Sequence, residues 1–133
     1  MKEAFIGKLW FESFEYHFKK RKQLSQLKLN TEDEYMSITE DIVLKGKLVY
    51  YVNEKNSFGN WIDKIYFSDD KWLVTIKFDE YNNFKIITSF KLNRYENLKD
   101  YLIQRKIFLF ITEVTDEHDY KRVVKSIRRR ARS

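Results

Sequence analysis

The middle of the chain, residues 47–92, restricts the fold more than any other part. Four short runs here are rich in β-branched and aromatic residues, which favour extended strands. They read "KLVYYVN", "WIDKIYF", "KWLVTIKF" and "FKIITSFKL". The connections between them are short and polar, and because the chain has no proline and only three glycines, Asn, Asp and Ser must form its turns. The sequence therefore predicts an antiparallel β-meander of four strands.

Helices are predicted on both sides of this meander. Aromatic and aliphatic residues recur at helical spacing over about residues 2–22, which predicts a first helix. Thr31 and Glu34 have the spacing of a capping box and predict a second helix that ends at Gly46. After the meander we predict a short helix in "YENLKDYLIQR", a buried fifth strand in "KIFLFIT" and a last helix in "DEHDYKRVVKSIRRRAR". The predicted fold class is α+β, with N-terminal helices packed on an antiparallel β-meander of four to five strands and a C-terminal basic helix.

The length and composition indicate one soluble domain, residues 1–133, without a cofactor. A chain of 133 residues has room for one core, and no repeat or linker-like stretch divides it. The absence of cysteine excludes disulfides and cysteine-based zinc sites. No apolar run approaches the roughly 20 residues that span a bilayer, and the N-terminus lacks the order of a signal peptide. We therefore expect a cytoplasmic protein without a membrane partner.

The positive charge of the chain is confined to two short segments. Residues 17–28 hold five cations and residues 121–132 hold seven, and neither segment contains an acid. The net charge is +6, but the rest of the chain carries 14 basic against 20 acidic residues. Such segregation is typical of a polyanion-binding site and predicts contact with nucleic acid or an acidic partner, with Arg128, Arg129 and Arg130 gripping phosphate. The alternative is a solvated helix face and a frayed basic tail.

His17 is the first candidate catalytic residue, because four consecutive cations follow it closely at residues 19–22. On a helix Lys20 and Arg21 lie one turn further on and share the side of His17. A metal-independent ribonuclease needs a group that titrates near neutrality and cations that stabilise charge on the phosphate. Those cations would also lower the pKa of the histidine and keep it neutral, as a base must be. The alternative is a surface histidine on a charged helix face.

The last run of the meander, "NNFKIITSFKL", is a candidate phosphate-binding strand. On a regular strand alternate residues share a face, which groups Lys85, Ile87, Ser89 and Lys91 against Phe84, Ile86, Thr88 and Phe90. One face is expected in the core. The other would present either Lys85, Ser89 and Lys91, or Thr88 with its neighbours, to a ligand. The alternative is an ordinary amphipathic strand.

Two further segments contain residue types that catalysis uses. His118 lies between acidic residues, which would raise its pKa and suit a general acid, so that His17 and His118 together would suffice for RNA transesterification. The alternative is an exposed histidine near a helix N-terminus. Residues 69–71 have the acid-x-lysine spacing of some metal-dependent nucleases, but they lie where a hairpin turn is expected. No metal site is predicted.

The order of these features resembles a known superfamily. A histidine helix followed by cations, then "LKLNTEDEYMSITEDIV", then a sheet that ends in "KIITSFKL", is similar to the barnase/EndoU/colicin/RelE-like (BECR) ribonuclease toxins over about residues 12–92. Those proteins are small α+β domains that cleave RNA. The resemblance implies a toxin-like, metal-independent endoribonuclease that works by 2′-hydroxyl attack. It also implies a ribonuclease-like core over residues 1–92 and a helix-strand-helix extension with a basic tail over residues 93–133.

The resemblance implies roles for particular residues and partners. His17 would be the acid/base, Lys20 or Arg21 would contact the phosphate, and Thr88 or Ser89 would contact it from the late strand, with Lys91 nearby. The predicted catalytic set is His17, Arg21, Thr88 and His118, and the predicted substrate-binding set is Lys20, Ser89, Lys91, Arg128, Arg129 and Arg130. The implied partners are RNA and an acidic antitoxin or immunity protein that would cover the positive site.

Two other readings of the sequence stay open. One is a non-enzymatic binder in which aromatic residues of the meander stack the bases of single-stranded nucleic acid, the candidates being Tyr50, Tyr51, Tyr66, Trp72 and Phe84. The other is a small phage or mobile-element protein whose charge serves an interface with another protein.

Overall fold

The computed structural model describes residues 3–107, 111–115 and 120–133. In this part of the chain four helices flank one seven-stranded sheet, which confirms the α+β class. The elements are β1 (Ala4–Ile6), β2 (Leu9–Phe11), α1 (Phe14–Gln23), α2 (Glu32–Lys45), β3 (Leu48–Lys55), β4 (Trp61–Ser68), β5 (Trp72–Phe78), β6 (Phe84–Lys91), α3 (Leu98–Gln104), β7 (Ile111–Glu113) and α4 (Lys121–Ala131). The strand order is β1-β2-β6-β5-β4-β3-β7, and β2 and β6 are the parallel pair.

The predicted meander is confirmed as strands β3 to β6, each antiparallel to the next. One Asn or Asp side chain organises each turn by accepting backbone N–H groups: Asn56, Asp69 and Asp79. Residues 69–71 therefore form a hairpin turn, as expected. The predicted fifth strand is present as β7, but it is not buried: β7 lies at the sheet edge, where Ile111 is half-buried and Thr112 is exposed. Residues 108–110 of that run lie outside the described residues.

The predicted first helix is wrong in its first half, where the chain forms the hairpin β1–β2. Its residues alternate between buried and exposed, and Phe5 and Trp10 are 49% and 38% exposed. Gly7 forms the turn with a φ of +57°, a conformation that interrupts a helix. The backbone N–H of Lys8 donates to the carbonyl of Arg130 at 2.9 Å, so the turn is docked on the end of α4. Helix α1 begins only at Phe14.

Helix α2 is confirmed with the predicted start and end. The hydroxyl of Thr31 accepts from the backbone N–H of Glu34 at 3.1 Å, and Gly46 follows the last turn. The carboxylate of Glu34 accepts from the backbone N–H groups of residues 28–30, so it organises the preceding loop as well as the helix.

The sheet packs helices on both of its faces. One core lies under α1, α2 and α4 and includes Tyr35, Val43 and Ile127. A second core lies under α3 on the other face and includes Tyr66 and Leu102. Residues beyond position 92 therefore pack on the same sheet as the N-terminal half. The sheet also exceeds the predicted four to five strands, because the N-terminal hairpin adds two.

A β-bulge in β6 changes which of its residues share a face. Thr75 is opposite Thr88 but Ile76 is opposite Ile86, so Ile87 is an extra residue in β6. Ser89 consequently lies on the face of Phe84 and Ile86, where it is fully buried, while Thr88 lies on the face of Lys85. The predicted grouping of Lys85 with Ser89 is wrong, because the alternation of a regular strand does not continue through a bulge.

The tight approach of Gly7 to α4 predicts an unequal response of two glycines to alanine. A Cβ at Gly7 would lie 2.2 Å from the carbonyl oxygen of Arg130, whereas a Cβ at Gly59 would lie 3.8 Å from its nearest neighbour, a lysine side-chain atom. Both glycines have positive φ. We expect Gly59→Ala to lower the free energy of unfolding by about 1–2 kcal/mol and Gly7→Ala to lower it by about 3 kcal/mol or more, measured by urea denaturation. Equal losses would contradict the docking of the hairpin on α4.

Candidate active site

The candidate site forms where β6 loses its neighbouring strand. β2 pairs with β6 only where Trp10 and Phe11 face Lys85 and Ile86. The backbone N–H of Glu12 then donates to the carbonyl of Ile86 at 2.9 Å, and the chain turns away into α1. The rest of β6 would be an open edge with unpaired backbone groups.

Side chains of α1 and of the loop after it occupy this edge. Their partners are alternate residues of β6, so the side chains replace a missing strand. The contacts are His17 with the backbone of Ile87, Arg21 Nη1 with the carbonyl of Ser89 at 3.2 Å, and the Gln26 amide with both backbone groups of Lys91 at 3.2 and 2.9 Å. Two of the predicted site residues, His17 and Arg21, are therefore held by the sheet itself.

A cleft of about 520 Å³, here called the His17 cleft, opens beside this edge. Helix α1, the C-terminal part of β6, the segment after it and α3 form its walls. Five of the predicted residues line it together: His17, Lys20, Arg21, Thr88 and Lys91. Arg94 and Arg105 raise the number of cations to five, and none of the described lining residues is an Asp or Glu. Such a cleft has a positive potential that favours anions.

Arg21 is the most unusual residue of the His17 cleft. It is only 6% exposed, and its guanidinium lies 5.6 Å from the ring centroid of Phe90. Its Nε has no hydrogen-bond partner, and among the described residues no carboxylate forms an ion pair with it. Burial lowers the pKa of Arg21 below its ordinary value. A buried cation without a counter-ion is costly, and a bound anion would remove most of that cost.

His17 is half-buried at the wall of the same cleft. Its ring lies 5.9 Å from that of Phe11 and meets Tyr16 edge-on at 5.4 Å. Burial lowers the pKa of His17 below 6.5, and the charge of Arg21 and then that of Lys20 lower it further, against the hydrogen bond with Ile87, which raises it. The imidazole is therefore neutral at pH 7. The sequence predicted the effect of the cations but missed burial, which is the larger cause.

Ser89 does not face the cleft. Its hydroxyl accepts from Trp72 Nε1 at 2.8 Å and lies 2.6 Å from the hydroxyl of Thr39, while its carbonyl accepts from the hydroxyl of Tyr35 at 2.5 Å. The side chain is completely buried, so its predicted contact with substrate has no support. The same carbonyl also accepts a hydrogen bond from Arg21, so the backbone of Ser89 fixes the position of Arg21. Of the two hydroxyls predicted on this strand, that of Thr88 lines the cleft.

The other predicted site residues lie away from the His17 cleft or outside the described residues. Arg128, Arg129 and Arg130 do not line the His17 cleft. Arg128 donates to the carbonyls of Val43 and Gly46 at 2.9 and 2.7 Å, while Arg130 lies over the ring of Phe84. His118 lies outside the described residues, so its pairing with His17 stays a prediction.

The sequence missed the second wall of the cleft. Arg94, Tyr95, Tyr101 and Arg105 line it from the segment after β6 and from α3 with its C-cap. Nothing in their spacing indicated this, because the packing of α3 on the sheet brings them there. Of the five residues of the predicted stacking platform, Tyr66, Trp72 and Phe84 are buried at 2%, 6% and 7% exposure, whereas Tyr50 and Tyr51 are half-buried.

Within residues 3–107, 111–115 and 120–133 no group of three His, Asp or Glu side chains is placed to hold a metal ion. In the same ranges no helix combines the length and apolar character that crossing a membrane requires.

Comparison with known proteins places the chain in a family. Residues 1–131 match the family described as "Uncharacterised protein aq_aa01", and the chain belongs to it. No curated protein and no solved structure matches the chain. The description of the family names no activity, so the resemblance to the BECR ribonucleases stays a prediction.

The lowered pKa of His17 predicts how stability depends on pH. An unfolded histidine titrates near 6.5 and the folded one lower, so the unfolded state binds more protons between these two values. The contribution of neutral His17 to stability is complete above pH 6.5 and is lost as the pH falls through the folded-state pKa. We expect the wild type to lose more free energy of unfolding than His17→Gln between about pH 7.5 and 5, measured by denaturation at both values. An equal or smaller loss in the wild type would contradict the lowered pKa.

Proposed function

We propose that the His17 cleft is the active site of a metal-independent endoribonuclease. The observation that carries the proposal is the buried guanidinium of Arg21, which has no counter-ion among the described residues and lies one helical turn from a histidine that is neutral at pH 7. A phosphodiester supplies the missing anion, and a neutral imidazole is the base that attack by a ribose 2′-hydroxyl requires. The proposal agrees with the resemblance to the BECR ribonucleases.

The proposed reaction is a transesterification within the RNA. His17 removes the proton of the 2′-hydroxyl, the 2′-oxygen bonds to the adjacent phosphorus, and the bond from phosphorus to the 5′-oxygen breaks. The products are a 2′,3′-cyclic phosphate and a 5′-hydroxyl, whose proton comes from an acid on the other side of the phosphorus. Among the described cleft residues, lysine ammonium groups and tyrosine hydroxyls carry such protons. His118 keeps its predicted role as that acid.

The cations of the cleft would act on the phosphate. Negative charge on the non-bridging oxygens increases in the transition state, and donors already fixed in place stabilise it most. Arg21 is fixed by the carbonyl of Ser89 and by burial, so it would bind the scissile phosphate. Lys20 and Lys91 lie on the same cleft and add charge, and the hydroxyl of Thr88 adds a neutral donor.

The second wall would bind the nucleotides beside the scissile bond. Tyr16 and Tyr95 line the cleft, and Tyr16 is 61% exposed, which leaves a ring face for a base. Arg94 and Arg105 would contact a neighbouring phosphate. Unstacked bases are needed for such contacts, so the proposed substrate is single-stranded RNA.

The proposal includes an inhibitory partner. A cleft lined by five cations and by no described acid is complementary to an acidic antitoxin or immunity protein. The alternative of a non-enzymatic binder is weaker, because three of the five aromatic residues on which it depended, Tyr66, Trp72 and Phe84, are buried.

The proposal predicts cleavage of RNA in excess EDTA, with loss of cleavage in one variant. End-labelled RNA should yield fragments with 2′,3′-cyclic phosphate ends, and His17→Ala should slow cleavage by about 10²–10⁴-fold because the base is removed. Binding of 2′-O-methyl RNA should change little, since that contact depends on the cations. The matched control is Gln23→Ala, an exposed residue of the same helix that does not line the cleft.

The pH profile gives a second readout of the same experiment. Cleavage should slow as the pH falls through the lowered pKa of His17, because the protonated imidazole cannot accept the proton. The proposal would be contradicted if the wild type left RNA intact, or if His17→Ala cleaved RNA as fast as the wild type. Binding without cleavage would instead favour the non-enzymatic alternative.

A further inference from the structure

A second cationic surface lies on α4, away from the His17 cleft. A shallow groove of about 390 Å³, here called the α4 groove, is lined by Lys125, Arg128, Arg129 and Arg132, so every described lining residue is a cation. These positions recur at helical spacing and form one stripe along the helix. Helix α4 packs on α2 and β2, whereas the His17 cleft lies between α1, β6 and α3. The two sites have no described lining residue in common.

Arg128 gives this groove a fixed geometry. Its guanidinium donates to the carbonyls of Val43 and Gly46 and lies 5.4 Å from the ring centroid of Phe67. Burial lowers the pKa of Arg128, and the charge of Arg132 lowers it further, so the two cations repel each other. Among the described residues no carboxylate pairs with any of the four cations. The groove therefore holds positive charge that a ligand can neutralise.

We propose that the α4 groove binds the phosphate backbone of a nucleic acid. A row of cations at helical spacing matches a row of phosphates, and arginine can bind each phosphate through two N–H groups. An acidic protein partner fits less well, because protein interfaces bury apolar and aromatic side chains at their centre and this groove has none among its described lining residues.

This site goes beyond the proposed cleavage and does not depend on it. On a long RNA the groove would hold the backbone at a distance from the scissile bond, without reading its sequence. It also divides the predicted arginine triplet. Arg128 and Arg129 belong to the groove, whereas Arg130 turns towards Phe84 on another side of the helix.

The test compares two triple variants that remove equal charge. The first variant, Lys125→Gln/Arg129→Gln/Arg132→Gln, removes the exposed cations of the groove. Arg128 is kept because its guanidinium also donates hydrogen bonds to the carbonyls at the C-terminal end of α2. The control, Lys28→Gln/Lys71→Gln/Lys99→Gln, removes three exposed cations that line neither site. A third variant, Arg129→Lys/Arg132→Lys, keeps the charge. The probe is a 2′-O-methyl RNA duplex, which lacks the attacking hydroxyl, and its affinity is measured by fluorescence anisotropy over a range of salt.

We expect the groove variant to bind the duplex at least about tenfold more weakly than the control near 0.1 M salt. The slope of log affinity against log salt should fall by about two to three, one for each lost phosphate contact, and the lysine variant should keep most of the wild-type slope. Cleavage of a diribonucleotide should be the same in all variants, since it uses the His17 cleft alone.

The proposal would be overturned if the groove variant and the control had equal slopes of log affinity against log salt. It would also be overturned if polyglutamate bound to the α4 groove and RNA did not displace it. The second result would indicate an acidic protein partner. A wild type that fails to cleave RNA, combined with the expected loss of slope, would count against the ribonuclease and still support the groove. The two proposals therefore fail separately.

Discussion

The structure depends on how α1 satisfies the open edge of β6. β2 covers only the start of that edge; over the rest, the side chains of Arg21 and Gln26 hydrogen-bond to Ser89 and Lys91, and His17 lies against the backbone of Ile87. This arrangement solves a backbone problem, because unpaired N–H and C=O groups at an edge cost free energy or attract another strand. It also fixes the position of His17 and Arg21. The same contacts that complete the sheet therefore form the wall of the His17 cleft.

The carbonyl of Ser89 links the stability of the core to the site. It accepts from both Tyr35 and Arg21, while the hydroxyl of Ser89 is held by Trp72 and Thr39. Tyr35 is fully buried, and burial raises its pKa. A network of this kind is stabilising when all its members are satisfied, and Nε of Arg21 is the one that is not. That unsatisfied Nε belongs to a residue that lines the His17 cleft.

Sequence patterns predicted those parts of the fold that local interactions determine. The meander follows from β-branched runs and Asx turns, and α2 follows from the cap at Thr31, so neighbours in sequence are sufficient. The hairpin at Gly7 was missed because it is stabilised by the backbone of α4, far along the chain. The bulge at Ile87 was missed because register is a property of two strands. His17 and Arg21 were found from local charge, whereas Arg94 and Arg105 reach the cleft only through the packing of α3.

The hydrogen bonds that join α1 and the loop after it to β6 connect residues 68 and 65 positions apart in the chain. During synthesis the N-terminal residues leave the ribosome first, and contacts of such long range must wait for their partners. Until β6 has emerged, the side chains of His17 and Arg21 therefore stay in water, where burial does not lower their pKa values. The His17 cleft is thus complete only after the chain has reached α3 and Arg105, which form its second wall, and a shorter nascent chain lacks it.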